Sequence, residues 1–221
     1  MSDLKKYFLN NKEKTIHKWM HYFEIYEKYF YKFKNTPIKF LEIGIGGGGS
    51  LQMWKDYFGK QAQIFGIDSN KNCFYEEDQI IISIGSQEDR NFLRQFINKN
   101  GRFDIILDDG GHTMNQQIVS LEELYPTLNE GGIYMIEDIH TSYMSSHGGG
   151  FNNPNSCIEY CKKIVDQVNK RTSLDIPNTV FSNDLLSLHF YEDIIVFNKD
   201  IRSKEKYAIK TGHSITVDSK I

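Results

Sequence analysis

The chain has 221 residues, a formal net charge of -3 and a hydrophobic fraction of 39%. That length suits one large α/β domain rather than two, and the scattered basic residues offer no face for nucleic acid. No apolar run reaches the ~18 residues of a membrane span. Three cysteines, with neither a CxxC spacing nor a secretory leader, point to a reducing cytoplasm.

In chain order, residues 3 to 34 carry Trp19, Tyr22, Phe23, Tyr26, Phe30 and Phe33 at steps of three and four. This spacing predicts one helix with an apolar stripe, ended by Pro37. A strand follows from Ile38 to Ile43, then the glycines of "GIGGGG", then a helix from about Ser50 to Phe58 with Ser50 as its cap. "QIFGID" (63 to 68) and "QIIISIG" (79 to 85) read as strands. "SQEDRNFLRQFINKN" reads as a helix capped by Ser86, with Glu88 and Asp89 at its positive end. "RFDIILDD" (102 to 109) is a buried strand, "MNQQIVSLEELYPTL" a helix and "GGIYMIED" (131 to 138) a fifth strand. Alternation of this kind implies a parallel sheet covered on both faces.

Past residue 138 the rhythm breaks into the polar, glycine-rich stretch 139–156, and connections that long are usually functional. A helix over about 156 to 170 places Cys157 and Cys161 on one face, where they read as packing residues. "LLSLHFY" and "DIIVFNK" lie too close together for a crossover, so they pair antiparallel. The expectation is a single domain over 1–221: a helical cap (1–36), a Rossmann-like core (37–200) and a tail (201–221).

Gly44, Gly46 and Gly49 satisfy G-x-G-x-x-G, and Asp68 ends the next strand, which fits a nucleotide-type cofactor. In an open parallel sheet the ligand sits outside the carboxyl ends of the strands. Those ends carry Glu42, Asp68, Asp108, Asp109, Glu137 and Asp138. Such a rim repels a pyrophosphate and suits a cation, so the charge pattern favours the sulfonium of S-adenosylmethionine with a divalent metal over NAD. The adjacent pairs Asp108-Asp109 and Glu137-Asp138 crowd like charges unless a cation or a proton relieves them.

"EIGIGGGGS", "GID", "DIILDDGGHT" and "YMIEDIHTSY" resemble the class I S-adenosylmethionine-dependent methyltransferases, and especially the magnesium-dependent O-methyltransferases acting on macrolide sugars. "KWMHYFEIYEKYF" and "GGGFNNPNSCIEYCKKIVDQVN" extend the likeness over about residues 15 to 198. It implies a Rossmann-like α/β fold, with a central seven-stranded, mostly parallel sheet and an antiparallel C-terminal hairpin. It also implies a metal (Mg2+, or Mn2+) on Asp109, Glu137 and Asp138, with zinc disfavoured by the absence of thiolates.

By the same resemblance His112 is the general base, or else a residue orienting Asp109. Glu42, Gly44, Gly46 and Gly48 serve the amino-acid part of the cofactor, Asp68 its ribose, and Ser86 and Gln87 its adenine. Asp108 stands between contacting the cofactor's ammonium and a supporting role, and His140 between substrate contact and structural hydrogen bonding. Tyr143, in a loop covering the acceptor, is a candidate sugar-stacking residue. His17, Lys18 and His21 receive no assignment. The acceptor implied is a saccharide or other small molecule. The family's additional N-terminal domain has no counterpart in the sequence, so neither acceptor identity nor homo-oligomeric assembly carries over. Rival readings are an NAD-dependent oxidoreductase, a metal-independent methyltransferase, an iron oxygenase using Asp109, His112 and His140, and a silent interaction module.

Overall fold

Short apolar runs bounded by glycine and polar turns set the strands of the computed structural model, which describes residues 1–201, 207–212 and 214–218. They are β1 (Lys39–Ile43), β2 (Gln63–Asp68), β3 (Ile80–Ile84), β4 (Phe103–Asp108), β5 (Leu128–Ile136), β6 (Leu185–Phe190) and β7 (Ile195–Lys199). They form one sheet in the order β3-β2-β1-β4-β5-β7-β6. The first five run parallel, while β7 pairs antiparallel with both β5 and β6. This is the expected seven-stranded Rossmann-like sheet with its antiparallel hairpin.

Because successive residues of a strand face opposite sides, the sheet sorts its side chains into two cores. Leu41, Phe65, Ile106, Tyr134 and Ile136 pack beneath helices α4 (Arg90–Asn100), α5 (Met114–Leu124) and α6 (Cys157–Val168). Phe40, Ile64, Ile105, Leu107 and Met135 pack beneath α1 (Asp3–Asn10), α2 (Tyr22–Phe30) and α3 (Gly49–Phe58). Cys157 and Cys161 are buried packing residues with their sulfurs 3.9 Å apart.

Three local expectations change. The N-terminal segment is two helices, not one: residues 11–21 carry no helix beyond a turn at 20–21, and Trp19 is exposed rather than part of the stripe. α3 begins at Gly49, and Ser50 is no cap, because its hydroxyl donates to Glu42 at 2.6 Å. α4 is capped by Asp89, which accepts from the amides of Asn91 and Phe92, so the Ser86 cap expectation fails by three residues. In the tail, β8 (Tyr207–Thr211) and β9 (Ser214–Asp218) make a separate antiparallel hairpin. The rest of 201–221 beyond Ile201, Gly212 and these strands lies outside the described residues. Among the described residues no helix is long and apolar enough to cross a membrane.

One ion-pair network ties α4 to α5. Arg90 reaches Glu123 at 2.7 Å and Glu122 at 2.5 Å, and Arg94 joins Glu123 at 2.8 Å. Arg94 and then Arg90 hold the Glu123 carboxyl below its ordinary range, against a smaller upward push from burial. Because the Arg90 side chain is 41% exposed, screening limits its worth, and Arg90→Ala should cost about 0.5–1 kcal/mol. For a lowered carboxyl the unfolded chain takes up its proton first. The contribution is therefore complete above the ordinary glutamate pKa and is lost as pH falls through the depressed one. Thermal melts of wild type and variant should differ by about 1–4 °C at pH 7 and converge under acid conditions.

Candidate active site

The carboxyl ends of β1, β2, β4 and β5 frame a cavity of about 350 Å³, lined by Gly44, Gly46, Asp68, Ser86, Gln87, Asp109, His112, Glu137 and Asp138 among others. That volume falls within the range of small-molecule sites. The glycine loop enters it through a crossing of backbones. The Gly44 amide donates to Ile67 at 2.8 Å, and the Asp109 amide donates to Ile43 at 2.9 Å. At Gly44, φ is +90° and a Cβ would stand 1.9 Å from the Asp109 carbonyl oxygen, so no other residue fits. Gly46 is also left-handed, but a Cβ there would meet nothing within 4 Å.

Asp68 organises this loop. One of its oxygens accepts from the amides of Ile45 (2.9 Å) and Gly46 (3.2 Å), the other from Asn70 (2.8 Å). Burial pushes its carboxyl up, and the N–H donors of Asn70, Ile45 and Gly46 outweigh that and hold it below the ordinary value. Gln87 spans the next two loops. Its Nε2 donates to Asp108 at 2.9 Å, and its Oε1 accepts from the Gly111 amide at 2.7 Å.

The acids divide into distinct environments. Asp108 is fully buried on the α5 side, accepting from Gln87, from Ser120 and from Tyr134 at 3.3 Å, with burial pushing its carboxyl up. On the opposite side the Lys18 ammonium sits among three acids: Glu42 at 3.1 Å, Asp109 at 2.7 Å and Glu137 at 3.2 Å. Burial opposes its charge, but Asp109, Glu137 and Glu42 together hold its pKa well above the ordinary lysine value. Glu137 also accepts from the Tyr26 hydroxyl at 2.5 Å. Burial, then the Asp109 charge, pushes the Glu137 carboxyl well up, even though Lys18 counteracts them.

Asp138 and His112 form the third environment. Both have left-handed backbone, φ +53° and +57°, a conformation that bulky side chains adopt only under constraint. It brings His112 Nε2 to 3.3 Å from Asp138 and 3.8 Å from Asp109. Tyr22 donates to the other Asp138 oxygen at 2.7 Å. His112 Nδ1 is buried and has no hydrogen-bond partner. Burial lowers the His112 pKa, only partly offset by Asp138 and Asp108, which favours the neutral ring. Ligand atoms of Asp109, His112 and Asp138 all lie within 4.8 Å of one another.

Of the residues singled out from sequence, the cavity wall therefore brings together Gly44, Gly46, Asp68, Ser86, Gln87, Asp109, His112, Glu137 and Asp138. Glu42 and Asp108 lie behind that wall, held by Ser50 and Lys18 and by Gln87 and Ser120. Gly48 faces Tyr75 instead. His140 sits outside, 3.2 Å from Asp193 and edge-on to Trp19, and Tyr143 is exposed beyond it. Sequence reasoning missed Lys18, Tyr22 and Tyr26. Their spacing of four residues was the available signal: each carries a polar tip on the flank of the aromatic stripe, and all three tips reach the acids.

No protein-family model matches the chain. A tetracenomycin 3'-O-methyltransferase acting on a 2-methoxy-rhamnosyl derivative, from Streptomyces olivaceus, is 33% identical over 84% of this chain and 51% of its own length. Mycinamicin VI 2''-O-methyltransferase from Micromonospora griseorubida is 31% identical over 79% of this chain and 47% of its own. The solved structure of MycE methyltransferase with Mg, SAH and mycinamycin VI superposes with a TM-score of 0.79 at 29% identity, covering 90% of this chain and 53% of that one. The chain belongs to the class I methyltransferase fold family. This methyltransferase relative spans about half the length of the curated proteins it matches.

Two glycine variants separate backbone crowding from cavity lining. Gly44→Ala forces its Cβ into the Asp109 carbonyl and should destabilise by about 3 kcal/mol or more, a fall in Tm of about 6–12 °C. Gly46→Ala meets only the left-handed penalty of roughly 1 kcal/mol. Calorimetric melts of the two side by side check the contrast.

Proposed function

We propose that the chain is an S-adenosylmethionine-dependent, divalent-metal-dependent O-methyltransferase acting on a sugar hydroxyl of a glycoside, polysaccharide or natural product. The observation that carries this is one arrangement: a glycine-edged cavity whose far wall combines paired acids with a histidine bearing an unspent nitrogen. The relatives named above methylate sugar oxygens by their own names, which supports the same acceptor chemistry here. The chain is read as one catalytic unit, cytoplasmic and without a nucleic-acid partner.

The cavity suits the cofactor's charge. Its glycine edge leaves open space at Gly46, and its far side presents Asp109, Glu137 and Asp138, where a sulfonium is stabilised and a diphosphate repelled. The donor set also suits a hard divalent ion. Asp109 and Asp138 offer carboxylate oxygens in one cluster, and magnesium combines one or two carboxylates with retained waters. Glu137, engaged by Lys18 and Tyr26, serves as their support. Bound there, the metal lowers the pKa of an acceptor hydroxyl and orients it.

The chain's own groups then do the following. Asp138 lies 3.3 Å from His112 Nε2 and orients the ring. His112 lines the cavity with its ring held neutral by burial, so it can take the acceptor's proton as the hydroxyl is methylated. Gln87 and Asp68 hold the loops that set the cofactor's position, so alignment supplies much of the rate. Trp19 on the cavity wall, with His140 and Tyr143 outside the mouth, forms the acceptor's approach.

Titration calorimetry should show S-adenosylhomocysteine binding to wild type, weakened more than about tenfold by Gly46→Ala, whose Cβ enters the cavity. Asp138→Asn should cut Mn2+ affinity, read by electron paramagnetic resonance, by at least about 10-fold. His112→Ala should keep the ion and lower turnover by about 10²–10⁴. Full turnover on glycosides in excess chelator would refute the metal, and binding of NAD without S-adenosylhomocysteine would refute the reaction class.

A further inference from the structure

Residues 11–21 run as an irregular strap between α1 and α2, and they lie directly on the glycine loop. The Gly49 amide donates to the Thr15 carbonyl at 3.1 Å. A Cβ on Gly49 would stand 2.2 Å from the Lys14 carbonyl oxygen, and one on Gly47 would stand 2.7 Å from Thr15. These two glycines therefore make room for the strap. Thr15, His17, Lys18 and Trp19 line the cavity beside the loop. The strap's apolar anchorage is a part-buried Ile16 against the core, while Trp19 is 50% and Met20 45% exposed. Its one fully buried side chain among these is Lys18, 1% exposed.

An ammonium has three N–H donors, and Lys18 has three carboxylate partners: Glu42 on β1, Asp109 after β4 and Glu137 after β5. Binding at Asp109 is through Oδ2, which leaves Oδ1 as the oxygen nearer His112. One side chain thus joins three strand ends, selects which Asp109 oxygen faces the cavity, and ties the strap across the loop.

We propose that Lys18 is a positioning residue: its ammonium latches the 11–21 strap over the glycine loop and turns Asp109 toward the ion. The Asp109 part rests on the proposed metal-dependent reading, whereas the latch itself does not. Lys18 touches neither cofactor nor acceptor in this account. It acts through Asp109 and through the closed strap.

The test must separate orientation from bulk charge, because removing a cation alone strengthens attraction for another cation. Lys18→Met/Glu42→Gln removes one positive and one negative charge together and leaves the net charge of the site unchanged. It also avoids stranding an excess of buried carboxylate, which threatens folding of Lys18→Met alone. Glu42→Gln is the control that keeps the latch.

Hydrogen exchange of the ligand-free proteins, followed by mass spectrometry, should show residues 11–20 exchanging at least about tenfold faster in the double variant, with Glu42→Gln near wild type. Mn2+ affinity should fall about 10-fold or more in the double variant only, as for loss of an orienting partner. Unchanged exchange and unchanged Mn2+ affinity would reduce Lys18 to a charge compensator and overturn the proposal. Tighter Mn2+ binding in the double variant would show Lys18 occupying the ion's own place, and would overturn it too. If wild type binds no Mn2+, the metal reading fails, and the exchange experiment still decides the latch.

Discussion

A lysine in a nest of carboxylates governs this molecule. Ionised groups leave water only at a cost of several kcal/mol each, and removal of one partner from a buried pair costs about 3–5 kcal/mol. Glu42, Glu137 and Lys18 are all almost completely buried, so the charge of the lysine and that of the acids around it must stay in balance. Glu42 and Glu137 come from the ends of two parallel strands, and Lys18 comes from a segment with no regular structure. The electrostatics therefore impose a tertiary arrangement that local propensity does not: the N-terminal segment must cross the sheet's carboxyl edge at that point.

Two of the six described non-glycine residues with left-handed backbone lie on the same edge. Left-handed backbone at a residue other than glycine costs about 1–3 kcal/mol, yet His112 and Asp138 both adopt it and face each other. Their loops are pinned on either side. Gln87 holds the Gly111 amide, Tyr22 bonds both the Asp138 carboxylate and its amide, and Thr113 caps α5 immediately after His112. A histidine–carboxylate pair fixed by surrounding bonds needs no reorganisation when its proton is called on, which is what a base aligned with an acceptor requires.

Much of this was legible in the sequence, for reasons that particular residues make plain. The strands were readable because continuous runs such as "DIILD" fit strands with both sheet faces covered, and the helices between them imply parallel pairing. The glycine loop and the acids after β4 and β5 then fall on one edge by topology. Alternation would have sorted those acids further: Glu42 shares the parity of Phe40, and Asp108 that of Ile106, so both point into a core rather than into the cavity. What no periodicity contains is the break at residues 11–21. The stripe of aromatics starts inside it at Trp19, and the contacts that hold the segment are long-range, Lys18 with three distant carboxylates and Thr15 with the Gly49 amide. The cap moves away from Ser50 for a similar reason, because its hydroxyl is drawn to buried Glu42, whereas the shift from Ser86 to Asp89 is local, since Asp89 accepts from two amides of α4.

Charge balance links this internal network to the ligands of the proposed reaction. At and behind the cavity wall stand Glu42, Asp68, Asp108, Asp109, Glu137 and Asp138, six carboxylates, against the one ammonium of Lys18; fully ionised, they leave six minus one, or five, negative charges. Two kinds of relief are available. A proton is one, and the upward-pushed carboxyl of Glu137 marks where burial and the neighbouring Asp109 favour it. Cations are the other, and a sulfonium together with a divalent ion supplies three positive charges against that excess. A diphosphate would add to the excess instead. The protein's own lysine thus offsets the acids it touches, Asp109 at 2.7 Å most closely, and leaves Asp138, 19% exposed, beside His112 and Tyr22 rather than an ammonium. A site built this way discriminates by sign before it discriminates by shape. That ordering suits a transferase whose donor is distinguished from the common nucleotide cofactors chiefly by the positive charge it carries.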